Sequence, residues 1–153
     1  MKTLQQWFDD YAVSHQNETN QAIHYFCVPA IYFSIVGMLM SIPSNFISNL
    51  TYLNNPIIEN WAVVVLFLLM LFYLKLSFKT FIKMLLFSII CLVGNHYLSK
   101  ALPLFYSSLV IFAIAWIGQF YGHKVEGKKP SFLKDLQFLL IGPAWVFEKL
   151  SKL

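Results

Sequence analysis

The sequence predicts an all-α fold, a polytopic membrane helical bundle, from three observations. Of its 153 residues, 58% are hydrophobic and only 12% charged, which leaves too little polar surface to cover a soluble domain of this size. The apolar residues fall into four blocks, the first of which is close to the roughly 20 residues that a helix needs to cross the hydrocarbon core. Lysines collect between those blocks, as positive charge does in cytoplasmic loops.

The first 20 residues are polar and predict an N-terminal polar helix ahead of the bundle. They carry Asp9, Asp10 and Glu18 where a secretory signal would have a cationic region and an apolar core, so the N-terminus is expected to be retained. Ala22 to Ile42 forms the first span. Pro43 to Asn60 follows, a lysine-free run of Ser, Asn and Pro whose turn formers argue against a continuing helix. Trp61 to Leu76 is the second span, and Lys75, Lys79 and Lys83 mark a short basic turn behind it. The third span is Met84 to Leu98, with Lys83 snorkelling toward the headgroups if the helix begins earlier. Leu102 to Tyr121 is the fourth. Leu136 to Phe147 is apolar but short and is interrupted by Gly142-Pro143, which predicts an interfacial or re-entrant segment rather than a fifth crossing.

Four crossings (22–42, 61–76, 84–98 and 102–121) return the chain to its starting side. Lys124, Lys128, Lys129 and Lys134 follow the fourth span, whereas the opposite side has Lys100 alone. Both termini are therefore expected in the cytoplasm, at a bacterial inner membrane or, in a eukaryote, the endoplasmic reticulum. No linker or internal repeat divides residues 1–153, so one integral membrane domain is expected.

Composition also excludes some functions. All eleven basic residues are lysine, so the planar guanidinium forks used to read phosphates and bases are missing and nucleic-acid binding gains no support. Cys27 and Cys91 lie inside apolar stretches, as small buried hydrophobes rather than a disulfide or metal pair. Asn49-Leu50-Thr51 matches the glycosylation pattern, a match common by chance.

Chemistry concentrates at two places. His15-Gln16-Asn17-Glu18-Thr19-Asn20-Gln21-Ala22-Ile23-His24 is a dense run of metal-competent and amide side chains directly before the first span. Asn20 and His24 are one helical turn apart, with Asn17 near the same stripe, so an amide there can hold the imidazole in one tautomer. On one straight helix His15 and His24 would point to opposite faces, and joint ligation requires a bend near Asn17 or Thr19. At the other place Trp116, Gln119, His123 and Glu126 follow at steps of three, four and three, which puts all of them on one helical stripe.

The topology gathers His15, His24 and His123 at one membrane face. Three neutral imidazoles beside a carboxylate suit iron(II) or zinc, and open positions would permit oxygen chemistry or water activation. The plainer alternative is that each histidine is a satisfied interfacial residue and that Glu126 pairs with Lys128 or Lys129. His96 fits that alternative, since it falls at the far end of the third span. Trp61 and Tyr121, near span ends, read as interface anchors.

Two segments carry a family resemblance: Trp7 through Pro29, with Tyr11-Ala12, His15, Asn17, Asn20, His24 and Pro29, and Trp116 through Pro130, with its Gln119-Phe120-Tyr121-Gly122-His123 stretch. Together with Leu139-Leu140-Ile141-Gly142-Pro143, they make the chain resemble the fungal endoplasmic-reticulum 2-hydroxy fatty acid dioxygenases and their bacterial relatives. The resemblance implies an iron(II)-dependent alpha-oxidation in which molecular oxygen shortens a long-chain 2-hydroxy fatty acid, drawn from the lipid bilayer, by one carbon. It also implies His15, His24 and His123 as iron ligands, with Glu126 as a fourth ligand or as a base beside the metal. Asn20, Gln119 and Asn17 would orient the site or the substrate, and Lys124 or Lys128 would hold the carboxylate charge. The rival functions are a zinc-dependent membrane lipid hydrolase using the same histidines, and a non-enzymatic scaffold or transporter. Against transport, the four spans lack midplane ionisable residues.

Overall fold

The computed structural model describes residues 2–53, 55–127 and 132–151, and the side chains of all of these except 132–137. Among them the chain forms α1 (Leu4–Ala12), α2 (Glu18–Met40), α3 (Asn45–Thr51), α4 (Trp61–Leu76), α5 (Phe78–Ala101), α6 (Leu104–Glu126) and α7 (Phe132–Leu150). The fold is all-α, and α2, α5 and α6 are long and apolar enough to cross a membrane. Three such helices mark an integral membrane protein. The fourth expected span, α4, has 16 residues, or roughly 24 Å at 1.5 Å per residue, against a hydrocarbon core of about 30 Å.

The element boundaries depart from expectation where local chemistry overrides the apolar pattern. α2 begins at Glu18 rather than Ala22 because Asn17 caps it, its Oδ1 accepting from Thr19 N at 2.9 Å and Asn20 N at 3.3 Å. The connection from Pro43 to Asn60 is not free of helix. It contains α3, which stops where Tyr52 turns left-handed at φ +54°. The basic turn shrinks to Ser77, whose backbone is extended, so Lys79 and Lys83 lie within α5 and that helix starts well before Met84. α5 ends at Leu102, which is extended as the residue before Pro103 must be. α6 continues past Tyr121 to Glu126 and thereby carries His123.

The largest departure is the C-terminal segment, where one helix runs unbroken through Gly142-Pro143. Ile141, Ala144, Trp145 and Val146 are all buried around the proline, and that packing holds the helix although Pro143 cannot donate to Leu139. Lys128, Lys129 and Pro130 lie outside the described residues.

Two compact units divide the chain: residues 1–32 with 112–153, and residues 33–111. In the first, α1 packs on α7 because its apolar stripe (Leu4, Trp7, Phe8, Tyr11) is matched by the α7 aromatics. Tyr11, Val28, Trp145 and Val146 form the core there, with Phe8, Tyr25 and Phe138 against it. In the second, α4 packs on α5, and Asn95 donates to Phe33 O at 3.0 Å and Cys91 O at 2.9 Å.

Candidate metal centre

His15 lies in the loop between α1 and α2, so the bend required for joint ligation is a break in the helix itself. Its ring is 2% exposed, stacks on Tyr11 at 4.0 Å with 3° between planes, and brings Nδ1 to 2.7 Å from Tyr11 O. A carbonyl only accepts, so Nδ1 carries the proton and Nε2 keeps its lone pair. His24, on α2, repeats the arrangement with Nδ1 2.9 Å from Asn20 O. It is therefore the backbone carbonyl of Asn20 that orients this imidazole, not the side-chain amide that the sequence suggested.

His123 on α6 completes the group. The three imidazoles are buried, their ring centroids lie 4.4, 5.0 and 5.2 Å apart, and one nitrogen from each falls within 4.8 Å of the others. Two glycines allow it. A Cβ on Gly118 would stand 2.7 Å from Cys27 Sγ, and one on Gly122 would stand 2.4 Å from Asn20 Oδ1 and 3.4 Å from His24 Cε1. This Gly-x-x-x-Gly spacing lets the α6 backbone approach α2 closely, as small residues do between membrane helices. The motif is plain in the sequence and was the missed signal for the meeting of His24 with His123.

Glu126 connects the helix end to the loop. Oε1 accepts from Gln16 N and Oε2 from Asn17 N, both at 2.9 Å, and Oε2 also accepts from the Asn20 amide at 3.0 Å. The Asn20 amide reaches Ser14 O at 3.2 Å, and Gln21 Nε2 donates to His15 O at 2.7 Å. The loop bearing His15 is thus held from α2 and α6 at once.

Gln119 is buried and lines the same cavity as the histidines, together with Tyr11, Val28, Phe138 and Leu139. Asn17 is spent on capping α2, Lys124 is exposed at the end of α6, and Lys128 lies outside the described residues. Tyr11 and Trp145, at 5.0 Å from each other and 4.0 and 5.9 Å from His15, are aromatic walls that sequence reasoning did not assign.

The donor set fits a metal. His15 and His24 each direct a fixed Nε2 lone pair away from a backbone carbonyl, which is how ligating histidines are commonly held. Buried imidazoles with one tautomer fixed suit a nitrogen-liganded ion of the iron(II) or zinc type. No curated protein and no solved structure matches the chain. The family described as 2-hydroxy-palmitic acid dioxygenase, Mpo1-like, matches it over residues 1–153. With that match over the full length and a buried three-histidine cluster at its centre, the chain belongs to the Mpo1-like 2-hydroxy-palmitic acid dioxygenase family.

Proposed function

We propose that this protein is an iron(II)-dependent dioxygenase that shortens long-chain 2-hydroxy fatty acids by one carbon within the membrane. The observation that carries this is the convergence of His15, His24 and His123 in a buried site, with backbone carbonyls setting the tautomers of the first two, in a chain of this family. His15, His24 and His123 would hold the metal, and bound there iron(II) supplies the redox chemistry with molecular oxygen that no side chain provides.

The chain's own residues do the rest. Nδ1 of His15 and of His24 keep their protons on Tyr11 O and Asn20 O, which leaves Nε2 of each as the ligating atom. Glu126 positions the His15 loop through its three accepted hydrogen bonds. The Gln119 amide orients the hydroxyl and carboxylate of the substrate, and exposed Lys124 draws the carboxylate charge toward the helix end. Tyr11, Val28, Phe138 and Leu139 exclude water. We place α4 as a fourth, short crossing, which keeps both termini on the lysine-rich cytoplasmic side.

Purified protein loaded anaerobically with iron(II) is expected to consume oxygen on addition of 2-hydroxypalmitate and to release the product one carbon shorter. Zinc-loaded protein is expected to do neither. Hydrolysis of a lipid ester by the zinc form, with no oxygen uptake by the iron form, would replace the proposal with the hydrolase.

A further inference from the structure

The cavity beside the three histidines is about 10 Å³, close to the space that a single water needs. A carboxylate, a hydroxyl and the carbon between them require several times that, so one wall must give way for a substrate to reach the imidazoles. The histidine side is tied down by the backbone hydrogen bonds and by Glu126. Tyr11 is stacked on His15, and both Tyr11 and Val28 are 3% exposed.

Gln119 on α6 is buried as well, and the remaining wall is Phe138 and Leu139 on α7. These two are half-buried and the next residue, Leu140, is exposed, whereas Ile141 and Ala144 to Val146 are buried. Pro143 lies near the start of the buried stretch. Lacking an N–H, it removes the helical donor of the carbonyl four residues back, and that carbonyl belongs to Leu139. Beside it, a Cβ on Gly142 would stand 3.2 Å from Tyr11 Oη and 3.3 Å from Val28 Cγ1. The weak point of the helix therefore lies against two residues that line the cavity, at the start of the anchored part.

We infer that Phe138 and Leu139 admit the acyl chain to the histidine cavity and grip its first methylenes, α7 yielding at Gly142-Pro143, so that these two side chains set the chain preference of the enzyme. The inference rests on the proposed 2-hydroxy acid substrate. Lipid tails are as apolar as leucine, so transfer from bilayer to wall brings little hydrophobic gain and fit decides which chain is held.

The test uses the full chain loaded with cobalt(II), whose visible spectrum reports binding without turnover. Titration with 2-hydroxyoctanoate and 2-hydroxypalmitate gives the ratio of their dissociation constants. Phe138→Leu and Leu139→Ala are expected to move that ratio by about tenfold at unchanged cobalt stoichiometry, and Pro143→Ala, which restores the missing donor, to slow the approach to equilibrium. An unchanged ratio in both wall variants, with Pro143→Ala binding at the original rate, overturns the inference. A spectrum that responds to neither acid in the unsubstituted protein overturns the substrate proposal beneath it, and the two failures are thereby distinguished.

Discussion

Two carboxylates, one in each compact unit, do similar work with different reach. Glu59 accepts from Leu53 N at 2.9 Å and Asn55 N at 3.0 Å and from the Thr51 hydroxyl, all within eight residues of itself. Glu126 accepts from two backbone amides and one side-chain amide that precede it by 106 to 110 residues. The first shapes a connection, while the second fixes where a ligand-bearing loop stands relative to two helices. In residues 33–111, Ser88 donates to Met84 O one turn back in its own helix, and Asn95 donates to Cys91 O one turn back and to Phe33 O on α2. Titratable side chains differ between the units as well. In the other unit, His15, His24 and His123 come from a loop and two helices and meet at one point. Buried polar groups cost free energy without partners, so convergence of this kind marks a place where something other than folding is selected.

The strongest way to break the comparison is to remove a converging group. His24→Ala or His123→Ala is expected to abolish stoichiometric iron and to lower activity by more than the roughly 10–100-fold typical of losing an outer partner of a metal ligand. Iron content by mass spectrometry and oxygen uptake decide it, and a variant that keeps both would remove that histidine from the site. The next effect contrasts the carboxylates. Glu126→Ala should weaken metal affinity about 10–100-fold, because Gln16 N, Asn17 N and the Asn20 amide lose their acceptor. Glu59→Ala should instead cost about 1–3 kcal/mol of stability and leave metal affinity as it was. Parallel metal titrations and thermal melts of the two variants settle the contrast, and equal losses of affinity would erase it.

How much of this could be read in advance follows the same line of local against distant. Three of the four expected spans were legible because apolar length is a local property, and so was the stripe of Trp116, Gln119 and His123, all of which are buried. α3 was hidden because it is only seven residues long and lies in a run of turn formers, and what closes the connection behind it is the Glu59 carboxylate. α7 seemed interrupted because Gly142-Pro143 is a breaker by propensity, yet buried neighbours override propensity. At the site the residue types were legible and their contacts were not. Asn20 sits one turn before His24 as spacing required, but it acts on the imidazole through its carbonyl and spends its amide on Ser14 and Glu126. The stacking of Tyr11 on His15, four residues on, depends on the tight turns that close α1, where Ser14 N donates to Tyr11 O and His15 N to Ala12 O.

Glycines give a smaller version of the contrast. A Cβ at Gly37 would stand 2.2 Å from Ser108 Oγ and 2.3 Å from Asn95 Oδ1, and one at Gly122 would stand 2.4 Å from Asn20 Oδ1. Both Gly→Ala variants are overpacked and should lose about 1–3 kcal/mol. Only Gly122→Ala should also weaken metal binding, since Asn20 touches Glu126 and carries the carbonyl that orients His24. Thermal melts with and without metal separate them, because the metal-induced rise in melting temperature should shrink for Gly122→Ala and persist for Gly37→Ala.

The smallest expected effect is at His96, the remaining histidine. It is half-buried on α5 beside Asn95, its ring lies 5.8 Å from the Tyr97 ring, and its carbonyl accepts from Ser99 Oγ at 2.7 Å. No other metal-competent side chain is grouped with it among the described residues. A side chain of this kind contributes an amphipathic ring at a helix end and little more, so His96→Ala should keep full metal stoichiometry, oxygen uptake and a melting temperature close to that of the parent protein. Loss of iron in this variant would mean that the ion is held by a set of residues other than the three imidazoles, and the contrast between the unit that gathers them and the unit that carries His96 would fail with it.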